Sequence, residues 1–92
     1  MSRLEAAIEW AEEMDYQLLL LGSEEERFDF EEAFLGVMVD EPPLAIYSEE
    51  KVIDVFVERD GMTYDEAVEF YHFNVQGAHV GEQTPIFIMS FE

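Results

Sequence analysis

The sequence predicts an α+β fold, a small three-stranded sheet packed by about four helices in the order α-β-α-β-α-α-β. Three observations predict it. Apolar residues recur at helical spacing in four segments, three of which begin with a capping residue. Between and after these segments lie three apolar runs, 16–21, 44–47 and 86–91, too short for helices and bounded by Gly, Ser or Pro. The chain of 92 residues is 49% hydrophobic and 14% aromatic. That is enough for one modest core, so residues 1–92 are expected to form a single domain.

Residues 3–14 place Leu4, Ala7, Ile8, Ala11 and Met14 on one helical face, with Trp10 at its edge. Glu5, Glu9, Glu12 and Glu13 share the opposite face. Residues 16–21 carry four consecutive leucines, which suits a strand covered on both faces. Glu24, Glu25 and Glu26 follow as an acidic turn. A second helix is expected from Asp29 as N-cap, with Glu32 three residues on and an apolar stripe of Phe30, Ala33, Phe34, Val37 and Met38. Gly36 weakens that helix, and Pro42-Pro43 ends it.

Residues 44–47 are a short strand candidate. With residues 16–21 and the intervening helix they would form a β-α-β crossover. Ser48 then caps a helix with Val52, Ile53, Phe56 and Val57 on its apolar face, stopped by Gly61 in a left-handed conformation. Thr63 and Glu66 form a capping box. On the helix they open, Tyr64, Ala67, Val68, Tyr71, Asn74, Val75 and Ala78 cluster on one side with Phe70 beside them, and the helix is expected to fray near Gly77. Residues 86–91, after Pro85, are apolar on both alternate faces, as in a strand covered on both sides.

There are 23 acidic residues and four basic ones, a net charge of −19. Phosphate binding needs Lys and Arg, so direct binding to nucleic acid or to an anionic membrane is disfavoured. A basic partner is favoured, with fast and salt-sensitive association. A merely solvated acidic surface is the competing reading. Without cysteine, neither a disulfide framework nor a thiolate metal site can form. No apolar run is long enough to span a bilayer. The acidic amphipathic first helix is unlike a signal or transit peptide, which predicts a cytoplasmic protein.

Within residues 61–89, the pieces Phe73-Asn74-Val75, Gly77-Ala78, Val80-Gly81-Glu82 and Thr84-Pro85-Ile86-Phe87 resemble a group of small uncharacterised bacteriophage and prophage proteins. The resemblance covers roughly residues 30–88. It implies a phage accessory protein in the host-cell cytoplasm and supplies no catalytic residues. By analogy with other small acidic phage proteins, it also implies an inhibitor of a host-defence enzyme that imitates DNA.

No catalytic constellation is recognisable, and the chain is read as a non-enzyme without cofactor or metal. The glycine turn after residue 77 is neither GxGxxG nor a P-loop. His72, three residues beyond Glu69, and His79 make a weak metal pair. Asn74, on an apolar helix face, is expected to be buried and bonded to backbone of the following turn. The expected partner-binding residues are Glu5, Glu9, Glu12, Glu13, Glu24, Glu25 and Glu26, whose carboxylates would stand in for phosphates before a basic, nucleic-acid-binding host protein. Two alternatives remain: a structural or assembly protein that self-associates, and a small ligand-binding domain around Asn74.

Overall fold

A computed structural model describes residues 1–76 and 83–91. It is α+β, with a three-stranded mixed sheet and helices packed against it. Helix α1 spans Arg3–Glu13. A 3-10 helix, Arg27–Ala33, leads directly into strand β1, Phe34–Met38. Strand β2 is Leu44–Ser48, followed by α2, Glu49–Asp60, and α3, Tyr64–Tyr71. A π-helical turn, His72–Gln76, prolongs α3, and β3 is Ile86–Ile88.

Local capping accounts for the helix boundaries. Ser2 and Glu5 form a reciprocal capping box on α1, a Ser-x-x-Glu start that the sequence contains. The Ser48 hydroxyl accepts from the Lys51 N–H at 3.4 Å. Gly61 closes α2 at φ 69°, ψ 22°, a left-handed stop. Thr63 and Glu66 bond reciprocally at 3.2 and 3.0 Å. These three expectations for α2 and α3 hold.

Two segments differ from the sequence prediction. Residues 16–21 are not a strand but an irregular segment whose leucines Leu18, Leu20 and Leu21 pack against the core. Two of its backbone groups bond side chains, and the Tyr16 N–H donates to the Ala11 carbonyl at 2.8 Å. The Leu21 N–H donates to the Tyr47 hydroxyl at 3.1 Å, and Gln83 Nε2 donates to the Gln17 carbonyl. The expected helix from Asp29 is a 3-10 helix followed by a strand. Phe30 and Ala33, three apart, are buried by the 3-10 repeat, and the chain then extends. Asp29 caps nothing; its carboxylate accepts from Arg59 at 3.2 Å. The element order is therefore helix, 3-10 helix, strand, strand, helix, helix, strand, and there is no β-α-β unit over residues 16–47.

The sheet order is β1-β2-β3. β1 and β2 form an antiparallel pair whose register shifts between Phe34 and Gly36, leaving Leu35 as the extra residue of a bulge. Their connection contains a cis Glu41–Pro42 peptide. β2 pairs with β3 in parallel, the crossover carrying α2 and α3. Phe34, Tyr47 and Phe87 stand side by side in this register, on the sheet face that meets the helices. Their rings pack in sequence, Phe34 on Tyr47 at 5.5 Å and Tyr47 on Phe87 at 6.1 Å, with Tyr71 edge-on to Phe87 at 5.4 Å. Leu4 and Ala7 from α1, Phe30 and Ala33 from the 3-10 helix, Ala45 from β2, Val52, Ile53 and Phe56 from α2 and Ala67 from α3 complete the core.

The other sheet face carries Gly36, Met38, Leu44, Ile46, Ile86 and Ile88. β3 is thus not covered on both sides as expected. Ile88 and Met89 are exposed, and Phe91 almost fully so.

Candidate acidic interface

The candidate residues fall into two groups. Glu5, Glu9 and Glu12 line a shallow cleft of about 410 Å³ that also exposes Ile8, Arg27 and Phe28. They do so because positions 5, 9 and 12 follow one another at i+4 and i+3 along α1, and the start of the 3-10 helix packs beside it. Glu5 is also structural: its carboxylate accepts from the Ser2 N–H at 3.2 Å, and the bonds to Ser2 hold its pKa below the usual carboxylate value. Arg27 lies across the Phe28 ring at 5.6 Å, while its Nε is buried without a hydrogen-bond partner. Glu13 is exposed but lies outside the cleft lining.

Glu24 and Glu25 are exposed in the turn before the 3-10 helix. Glu26 faces elsewhere. Its carboxylate comes within 3.7 Å of the Arg59 guanidinium, which also takes Asp29 at 3.2 Å and Asp60 at 3.0 Å. The bonds to Asp60 and then Asp29 raise the Arg59 pKa, and those to Arg59 lower that of Asp60. Arg59 stacks at 5.4 and 5.8 Å on Phe30 and Phe56, so one cation pins a carboxylate knot onto the core edge. The structure therefore gathers Glu5, Glu9 and Glu12, leaves Glu13, Glu24 and Glu25 outward, and engages Glu26 internally.

Sequence reasoning did not single out a second acidic surface. Glu31, Glu32, Asp54 and Glu58 border a cleft of about 670 Å³ together with Lys51 and Arg59. The spacing of Asp54 and Glu58 on α2 was a usable signal. Glu31 and Glu32 were hidden by the expectation of an α-helix there.

Asn74 departs from expectation. It is exposed, and its amide donates to the Phe70 carbonyl at 3.2 Å instead of serving the turn that follows. The π-helical turn inserts extra backbone per turn and shifts the wheel on which Asn74 had been placed inward. Tyr64 is likewise 55% exposed, whereas Ala67 and Tyr71 of the same predicted face are buried. Asn74 borders a cleft of about 390 Å³ with Leu21, Phe56, Val75 and Phe87. Gly77, Ala78, Gly81 and His79 lie outside the described residues. His72 Nδ1 meets Gln76 Oε1 at 2.6 Å. Among the described residues no three His, Asp or Glu side chains are grouped to hold a metal ion, and no helix is long and apolar enough to cross a membrane.

No family model, curated protein or solved structure matches the chain.

Proposed function

We propose that this protein is a binding protein whose exposed carboxylates occupy the nucleic-acid site of a basic partner and so inhibit it. The observation that carries the reading is the net charge of −19, with 23 acids against four cations. One of those cations, Arg59, is already spent on three carboxylates. Glu9, Glu12, Glu13, Glu24 and Glu25 are exposed around α1 and the following turn. A partner that neutralises them displaces counterions, as it does on binding DNA, which favours fast and salt-sensitive association. The resemblance to phage proteins adds a setting to the proposal: a phage accessory protein acting on a host-defence enzyme in the cytoplasm.

The test is capture of a partner from a bacterial lysate at low salt, followed by its competition with duplex DNA. The captured protein is expected to be basic, to be released by salt, and to compete with DNA. Reversing Glu9, Glu12, Glu13, Glu24 and Glu25 to Lys is expected to weaken binding by about tenfold or more. Inhibition that survives this reversal would exclude the reading.

One observation favours a second reading, self-association. The sheet face with Met38, Leu44, Ile46, Ile86 and Ile88 carries no charged residue among the paired positions, in a chain otherwise crowded with acids. A concentration-dependent dimer, dissociated by Ile88→Glu, would support it.

A further inference from the structure

The edge of the sheet beside α1 carries an inference about how a basic partner attaches; it rests on the acidic-binding reading above. In the order β1-β2-β3, β1 is an edge strand whose partner among the described strands is β2. Its outer side opens into a groove of about 550 Å³ between the strand and α1. The wall on the helix is Ala6, Trp10 and Met14, and the wall on the strand is Leu35, Val37 and Val39. These residues are not simply core: Met14 is 53% and Val39 84% exposed.

An exposed apolar edge strand is a template for pairing with another chain. Five or six residues of extended chain, at about 3.3 Å each, match the length of β1. Such a strand would hydrogen-bond to β1 and place alternate side chains against Ala6 and Trp10.

Charge selects the occupant. Glu9 and Glu13 follow Ala6 at i+3 and i+7, so they form the next stripe of α1 beside the groove. Asp40, in the lining, and its neighbours in the chain Glu41 and, beyond Met14, Asp15 add three more carboxylates. Arg3 is the cation in the lining. A second copy of this chain would bring a further −19 to this edge. A strand in which Lys or Arg alternates with Val, Ile or Leu brings apolar groups to the groove and cations within about a Debye length of the acids.

We infer that the groove between α1 and the free edge of β1 binds an extended, cationic, alternately apolar segment of a partner protein by strand addition. Glu13, which the cleft around Arg27 leaves out, acquires a role here.

Trp10, the one tryptophan of the chain, reports on the groove directly. Two synthetic peptides of equal charge, alternating Lys-Val and alternating Lys-Gly, separate apolar strand addition from charge. The Lys-Val peptide is expected to bind about tenfold more tightly, shift Trp10 emission to the blue and slow amide exchange at residues 35–39. Ala6→Phe, at an exposed position, fills the groove and is expected to cost the Lys-Val peptide about tenfold while leaving the Lys-Gly peptide unchanged. Equal affinity for both peptides, no binding of either, or indifference to Ala6→Phe overturns the inference. So does a dimer of the free protein that Ala6→Phe dissociates, because the groove is then filled by a second copy. If a Glu9→Lys, Glu13→Lys variant binds the Lys-Val peptide undiminished, the acidic-binding reading falls and with it the cationic character of the inferred segment, while addition of an apolar strand to the groove stands. If acid reversal weakens both peptides equally and Ala6→Phe weakens neither, the reverse holds.

Discussion

Tyr47 and Tyr71 are both wholly inaccessible to solvent, but their hydroxyls are treated differently. The Tyr47 oxygen accepts from the Leu21 N–H, tying the irregular leucine segment to the central strand. The Tyr71 hydroxyl is buried without a hydrogen-bond partner. Removing the first leaves a backbone donor unpaired, whereas removing the second deletes an unsatisfied group. Tyr47→Phe is therefore expected to cost about 1 kcal/mol in denaturant unfolding, and Tyr71→Phe to fall within about 0.5 kcal/mol of the parent or to stabilise it. Burial pushes both phenols up to about 12, with the charge of Glu49 adding to the effect at Tyr71. A folded-state pKa raised above the ordinary 10.0 means that the neutral phenol stabilises the fold below pH 10. That contribution is lost as pH rises from 10 towards 12. Stability measured across this interval is expected to fall, and to fall less steeply in Tyr47→Phe.

At the level of elements, the glycines distinguish the two halves of the chain. Gly61 holds a left-handed conformation with open space where a Cβ would stand. Gly61→Ala should therefore cost about 1 kcal/mol from backbone conformation alone. Gly36 has neither positive φ nor a neighbour within 4 Å. Gly36→Ala, in the extended β1, is expected to be neutral or to stabilise by a few tenths of a kcal/mol, about what a strand gains over glycine. Thermal unfolding of the two variants checks the pair. The contrast also explains what could be read in the sequence. From Ser48 to Glu66, capping residue, apolar stripe and glycine stop coincide, and α2 and the start of α3 appear as expected. Residues 29–38 carried a helix-like stripe, but Phe30, Ala33 and Phe34 also fit a 3-10 turn entering a strand, and only pairing with β2 decides between them. The leucines of residues 16–21 announced burial correctly but not its form, since a segment bonded by Tyr47 and Gln83 has no period. Of the candidate site, the carboxylates on α1 could be placed by helical spacing. The turn of Glu26 towards Arg59 could not, because that contact joins segments thirty-three residues apart in the chain.

For the molecule as a whole, the same charge acts on folding and on binding with opposite signs. Carboxylates at this density repel one another in the compact state more than in the expanded one, so self-repulsion opposes folding. Dissolved salt shortens the Debye length from about 10 Å at 0.1 M to about 3 Å at 1 M, which screens that repulsion. The melting temperature is therefore expected to rise with NaCl, by about 4–8 °C for each kcal/mol of repulsion removed. Attraction to a basic partner is screened by the same ions, and its affinity falls over the same range. Paired measurements of melting and of partner affinity should move in opposite directions as salt increases. If both rose together, apolar contact would dominate the complex and the self-associating sheet face would become the better account. A melting temperature indifferent to salt would show instead that the acids are spaced widely enough for solvent alone to screen them.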